Sequence, residues 1–154
     1  MLIRLLCITI LLFISACASQ SPSIESKTIH FYQAETLKPY DEVLAELEIA
    51  IAEHNFRITG HSRVGMVIRD RGTKDFPNYD TLQFCNLTHA KTLLLMSPHA
   101  VSYMPCNIVT YEFEGKTIVK THLLATDTDN KALNDFSKKM NEMLKQIVDF
   151  AVEE

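Results

Sequence analysis

The chain is poor in the residues on which most recognisable chemistry depends. Its 154 residues hold four glycines, and none of them builds the glycine-rich loop whose backbone N–H groups cradle a phosphate. Neither a Gly-x-Ser-x-Gly elbow nor a His-Glu-x-x-His pair occurs, which removes the familiar serine-hydrolase and zinc-protease constellations. Cys-x-x-Cys spacing is also missing, leaving a thioredoxin-type mechanism without a motif. Glu35, Asp41 and Glu42 read as solvated charges at a helix start, and no pair of carboxylates has a reason to be perturbed. Lys and Arg number 15 against 19 Asp and Glu and form no patch, so a nucleic-acid surface is not expected. No internal repeat or low-complexity block appears.

What is present is concentrated first at the N-terminus. Arg4 supplies one positive charge, residues 5–14 follow without any charge, and Ser15 and Ala16 then meet Cys17. A charged start, an apolar run of this length and a small-residue cleavage point make a secretory signal, too short to span a bilayer comfortably. Ile14, Ser15, Ala16 and Cys17 also resemble the lipobox of bacterial lipoproteins, which implies that Cys17 is lipidated and becomes the mature N-terminus. Acyl chains contribute roughly 0.8 kcal/mol per buried CH2, and two or more make anchoring stable. Ala18 in place of aspartate implies passage to the outer membrane if the cell is Gram-negative, with the domain on its periplasmic face.

The expected organisation is therefore a signal peptide over residues 1–16, a lipidated N-terminus and polar Ser/Gln/Pro tether over 17–27, and one domain over 28–154. Loss of residues 1–16 leaves 138 residues and takes the net charge from −4 to −5, since Arg4 goes with them. That is enough chain for a single core. Cys7 leaves with the signal and Cys17 is consumed by lipid, so Cys85 and Cys106 remain as a pair. In an oxidising envelope compartment they read first as a disulfide candidate, one that stabilises by roughly 3 kcal/mol on the chain-entropy model.

Periodicity places the elements. Residues 28–35 alternate around Ile29, Phe31 and Tyr32 as a first strand, and Val43, Leu44, Leu47, Ala50 and Ile51 recur at helical spacing through 40–55, just after Pro39. Residues 56–62 read as a strand and 64–71 as a short helix or turn ended by Gly72. Residues 79–85 form a strand with Leu82 and Phe84 on one side, and 87–96 a helix stopped by Ser97 and Pro98. Strands over 107–113 and 116–124 flank Glu114 and Gly115 as a hairpin. A last helix, capped by Asp127 or Thr128, runs to about Val152 with Leu133, Phe136, Met140, Leu144 and Ile147 in one stripe. The fold class is α+β: a small, mostly antiparallel sheet of about five strands, with two long amphipathic helices and one or two shorter ones.

Phe84, Cys85 and Asn86 precede a helix containing Ala90. Met104, Pro105 and Cys106 then head a strand that leads through Tyr111 to a glycine turn at Gly115. This pattern over residues 40–125 resembles the family called domain of unknown function 302, whose members show Phe-Cys-Asn-Pro before a helix and Leu-Pro-Cys before a hairpin. Leu87 stands where the family has proline and Met104 where it has leucine, both apolar replacements. The resemblance implies a small α+β domain, often dimeric, without an established activity, and it carries over Cys85 and Cys106 as a thiol or ligand site with Asn86 and Pro105 beside them.

Three chemistries stay open for the pair: a structural disulfide, a redox-active dithiol or ligand-binding thiol site, and two inert buried thiols. His89, His99 and Met104 are weak metal candidates because no recognised ligand spacing accompanies them. The other histidines, His30, His54, His61 and His122, are scattered. The expectation is a lipid-anchored envelope protein whose domain is a non-catalytic binding or accessory module, without a cofactor, engaging an unknown ligand or envelope partner, with pairing to a second copy of itself left open. The alternative is a thiol-based redox or sulfur-handling enzyme using Cys85 and Cys106.

Overall fold

The computed structural model describes residues 30–153. The signal peptide, Cys17 and the tether expected from the sequence lie outside the described residues. Five strands form one antiparallel sheet in the order β1-β5-β4-β3-β2: β1 Phe31–Thr36, β2 Arg57–Arg63, β3 Tyr79–Cys85, β4 Cys106–Phe113 and β5 Lys116–His122. The helices are α1 Tyr40–Glu53, α2 Val64–Asp70, α3 Leu87–Met96 and α4 Lys131–Val152, with a 3-10 helix at Pro98–Tyr103 between α3 and β4. This is the α+β architecture that the periodicities imply. The expected β3 and α3 have the observed ends, whereas the 3-10 helix has no counterpart in the sequence reading.

The hairpin closes through Glu114 and Gly115, both at positive φ (50° and 77°). Two left-handed residues in a two-residue connection match the right-handed twist of the flanking strands, and glycine takes the second place without strain. Gly65 has a different reason. A Cβ there would lie 2.4 Å from the Pro77 carbonyl oxygen and 2.7 Å from the Tyr79 nitrogen, so only glycine lets α2 lie this close to the chain entering β3.

One sheet face carries Leu82 and Phe84 from β3, Ile108 and Thr110 from β4, and Val119 and Thr121 from β5, all buried. Helices α1 and α4 cover it, contributing Val43, Leu47 and Ile51 from one and Met140, Leu144 and Ile147 from the other. Burying a side chain of this size is worth roughly 1.5–3 kcal/mol, so this layer carries most of the stability. Polar ties fix the layers in register. The Tyr40 hydroxyl donates to the Thr110 carbonyl at 3.1 Å, and the Tyr32 hydroxyl donates to Asp149 of α4 at 2.6 Å.

The start of α4 differs from the expectation. Asn130, not Asp127 or Thr128, is the N-cap, its Oδ1 accepting from the Leu133 N–H at 3.1 Å. Thr128 is held in the preceding loop by Asn134, which accepts from the Thr128 N–H at 2.9 Å and donates through Nδ2 to its carbonyl at 2.6 Å. Several residues with capping chemistry lie in succession there, and the one chosen depends on which of them a later side chain captures.

Candidate functional site

The two cysteines enter the same region from different elements. Cys85 ends β3 and Cys106 begins β4, where the register pairs Cys106 with Phe84, so Cys85 lies one residue from direct pairing. Both are free thiols, partly buried, and both line a small cavity of about 20 Å³. Its walls include Phe56, His89, Met104, Phe136 and Met140. The His89 ring stands 6.0 Å from Phe56 and 6.2 Å from Phe136. Burial, aided by the nearby Cys85, pushes the Cys106 thiol up to about 11. That is the direction opposite to an activated nucleophile, since reactive thiols sit in surroundings that favour the thiolate.

Asn86 holds this corner together. As the N-cap of α3, its Oδ1 accepts from the N–H groups of Thr88 (2.9 Å) and His89 (3.1 Å), and its Nδ2 donates to the Asn55 carbonyl at 2.8 Å. One side chain thus fixes the first turn of α3, including His89, against the end of α1. His89 reaches the cavity from this turn. Although His89 is four residues past Cys85, the two do not share a helical face, because Cys85 belongs to β3 and the helix starts at Leu87. Pro105 follows a cis Met104–Pro105 peptide bond and is exposed.

His99 is brought elsewhere. It lies in the 3-10 helix and lines a larger cleft of about 370 Å³ between that helix, α3 and the segment entering α4. Leu93, Leu124 and Leu133 give the cleft its apolar wall, while Ser97, Thr128 and Asn130 bring polar atoms to it. Leu93, Tyr103 and Leu124 border both the cleft and the thiol cavity, so the two spaces form one end of the molecule. Buried Asn141 of α4 anchors that end: its Oδ1 accepts from the Leu124 N–H at 2.8 Å and its Nδ2 donates to the Leu124 carbonyl at 2.9 Å. The sequence reading missed this cleft, since its walls come from three stretches that only the fold assembles. The stretch from Ser97 to Tyr103 between two expected elements was the available signal.

Two other features lie apart. His61 of β2 and Asp80 of β3 are paired at 2.9 Å, a contact the scattered histidines did not suggest. On the sheet face away from α1 and α4, a groove of about 350 Å³ runs beside α2, lined by Val64, Ile68, Phe76, Tyr79, Val109 and Tyr111. Among the described residues, no group of three or more His, Cys, Asp or Glu side chains is placed to hold a metal ion. No described helix is long and apolar enough to cross a membrane.

Comparison with known proteins agrees with the motif. A family model described as domain of unknown function DUF302 matches residues 32–151. The crystal structure of an uncharacterized conserved protein DUF302 from Bacillus stearothermophilus is similar at a TM-score of 0.70 and 18% identity, covering 79% of this chain and 97% of that one. At that identity the likeness concerns the fold. No curated protein matches the chain.

Proposed function

The chain belongs to the DUF302 family, and from that premise we propose that it is a lipid-anchored binding module of the cell envelope whose ligand occupies the cleft beside the cysteine pair. The cleft carries the reading. About 370 Å³ falls within the range of small-molecule sites, and an apolar wall with a few polar atoms at its edge suits an amphipathic organic molecule. Anchoring rests on the order Arg4, apolar run, Ser15, Ala16, Cys17.

Binding is favoured over the thiol-redox alternative by the environment of Cys106, whose thiol is pushed up to about 11 chiefly by burial. An attacking thiol needs the opposite shift and access to its substrate, so Cys106 is not placed to act as one.

The fluorescent dye 1-anilinonaphthalene-8-sulfonate tests the cleft on residues 30–154, which hold all five strands and the helices that cover them. One dye bound per chain, lost in a Ser102→Trp/Leu133→Trp variant of unchanged circular dichroism, is the expected result. Binding unaffected by the two tryptophans would refute the assignment. For the anchor, the mature chain is expected in the detergent phase of a Triton X-114 partition with acyl mass on Cys17, and a chain beginning at Ala18 in the aqueous phase. A mature chain without acyl mass on Cys17 contradicts it.

A further inference from the structure

The small cavity is unlike the cleft next to it. At about 20 Å³ it has room for a single water or ion and for no organic ligand. A water would want two to four polar partners, yet the lining is dominated by sulfur, aromatic and aliphatic groups, with Cys85, Cys106, Met104 and Met140 around it. Hard cations fare no better, since they require several oxygen ligands. Coordination by three or more imidazole, thiolate or carboxylate groups is also not on offer among the described residues. What the space does offer is two thiols from the adjoining ends of β3 and β4 in its lining, together with the thioether of Met104.

We propose that Cys85 and Cys106 bind one soft monovalent cation, Cu(I), as a bis-thiolate ion in this cavity, with Met104 as an adjacent thioether ligand. Thiolate and thioether donors select Cu(I) over harder divalent metals, and a d10 cation is content with two or three ligands. Each thiol exchanges its S–H bond for an S–Cu bond and releases its proton, the metal's own charge driving the deprotonation that burial of Cys106 opposes in the metal-free chain. Two thiols and one Cu(I) therefore give a bis-thiolate of net charge −1 and two protons, and no electron is transferred because the copper enters already reduced. The site uses the end of the molecule assigned to binding above but does not depend on an occupant in the cleft, so dye binding and copper binding can fail separately.

The test uses the full chain in detergent, reduced and kept anaerobic, with Cu(I) supplied as its coloured bicinchoninate complex. A chain carrying both Cys85→Ser and Cys106→Ser serves as the blank for copper held anywhere else on the chain. The expected result is transfer of one Cu(I) per chain above that blank, with affinity lowered on the order of 100-fold or more in either single Cys→Ser variant and less in Met104→Leu. Loaded protein should also protect Cys85 and Cys106 from iodoacetamide, read by peptide mass spectrometry. Should Cys106→Ser lose its fold by circular dichroism, Cys85→Ser and the protection pattern carry the decision. Wild-type transfer no greater than the blank, full affinity in Cys85→Ser, or alkylation of both cysteines at an unchanged rate in loaded protein would each overturn the proposal.

Discussion

Single side chains decide more here than their size suggests. Thr110 is almost fully buried in the central strand and its Oγ1 has no hydrogen-bond partner in the structure. An unpaired hydroxyl costs free energy that an apolar group of the same shape does not, so Thr110→Val is expected to leave stability unchanged or raise it by about 1 kcal/mol in urea unfolding. Asn141 is the opposite case. Replacing it with leucine strands both the N–H and the carbonyl of Leu124, and at about 1–3 kcal/mol for each unpaired group the loss should reach roughly 2–6 kcal/mol. Cys106 gives a pH dependence. Its ordinary value is 9.0 and burial raises it to about 11 in the folded chain, so between those values the unfolded state holds fewer protons than the native one. Stability is therefore whole below pH 9 and declines as pH rises towards 11. Tyr40, held up first by burial and then by Asp80 and Glu112, adds to the decline in the same direction. Urea midpoints measured from pH 8 to 11 should fall, and a flat profile would contradict the burial of both groups.

At the scale of elements, the legibility of the sequence depends on whether a boundary is set locally. β3 and α3 end where expected because Asn86 separates them as a cap, and Ser97 with Pro98 halts the helix. Asn86→Ala should cost about 1 kcal/mol for the lost cap. It should also loosen the turn bearing His89, which would show as faster amide exchange at Thr88 and His89 with little change in α4. The start of α4 was misread because its cap is chosen by Asn134 from one turn inside the helix, a contact that residue type alone does not reveal. The 3-10 helix at Pro98–Tyr103 escaped for a related reason: six residues with no apolar period give no signal until Ala100 is buried against its neighbours.

The whole molecule shows why the fold was more readable than the site. Alternation along β3, β4 and β5 and the stripe on α4 specify which face is covered, and the α1 spacing supplies the second covering helix. The cysteine pair could be singled out because Cys7 and Cys17 belong to the expected signal and anchor and the family pattern runs through Cys85 and Cys106. The cleft could not, since its walls from α3, the 3-10 helix and the approach to α4 meet only after the chain has crossed the sheet. The sheet's other face holds a groove of comparable volume beside α2, and it gives the account a direct rival. The two spaces are separated by identifiable amides, so nuclear magnetic resonance can distinguish them. When isotope-labelled residues 30–154 are titrated with 1-anilinonaphthalene-8-sulfonate, the account predicts saturable shifts confined to residues 93–103 and 124–137. Shifts centred instead on Val64, Tyr79 and Tyr111, with the cleft unmoved, would contradict it.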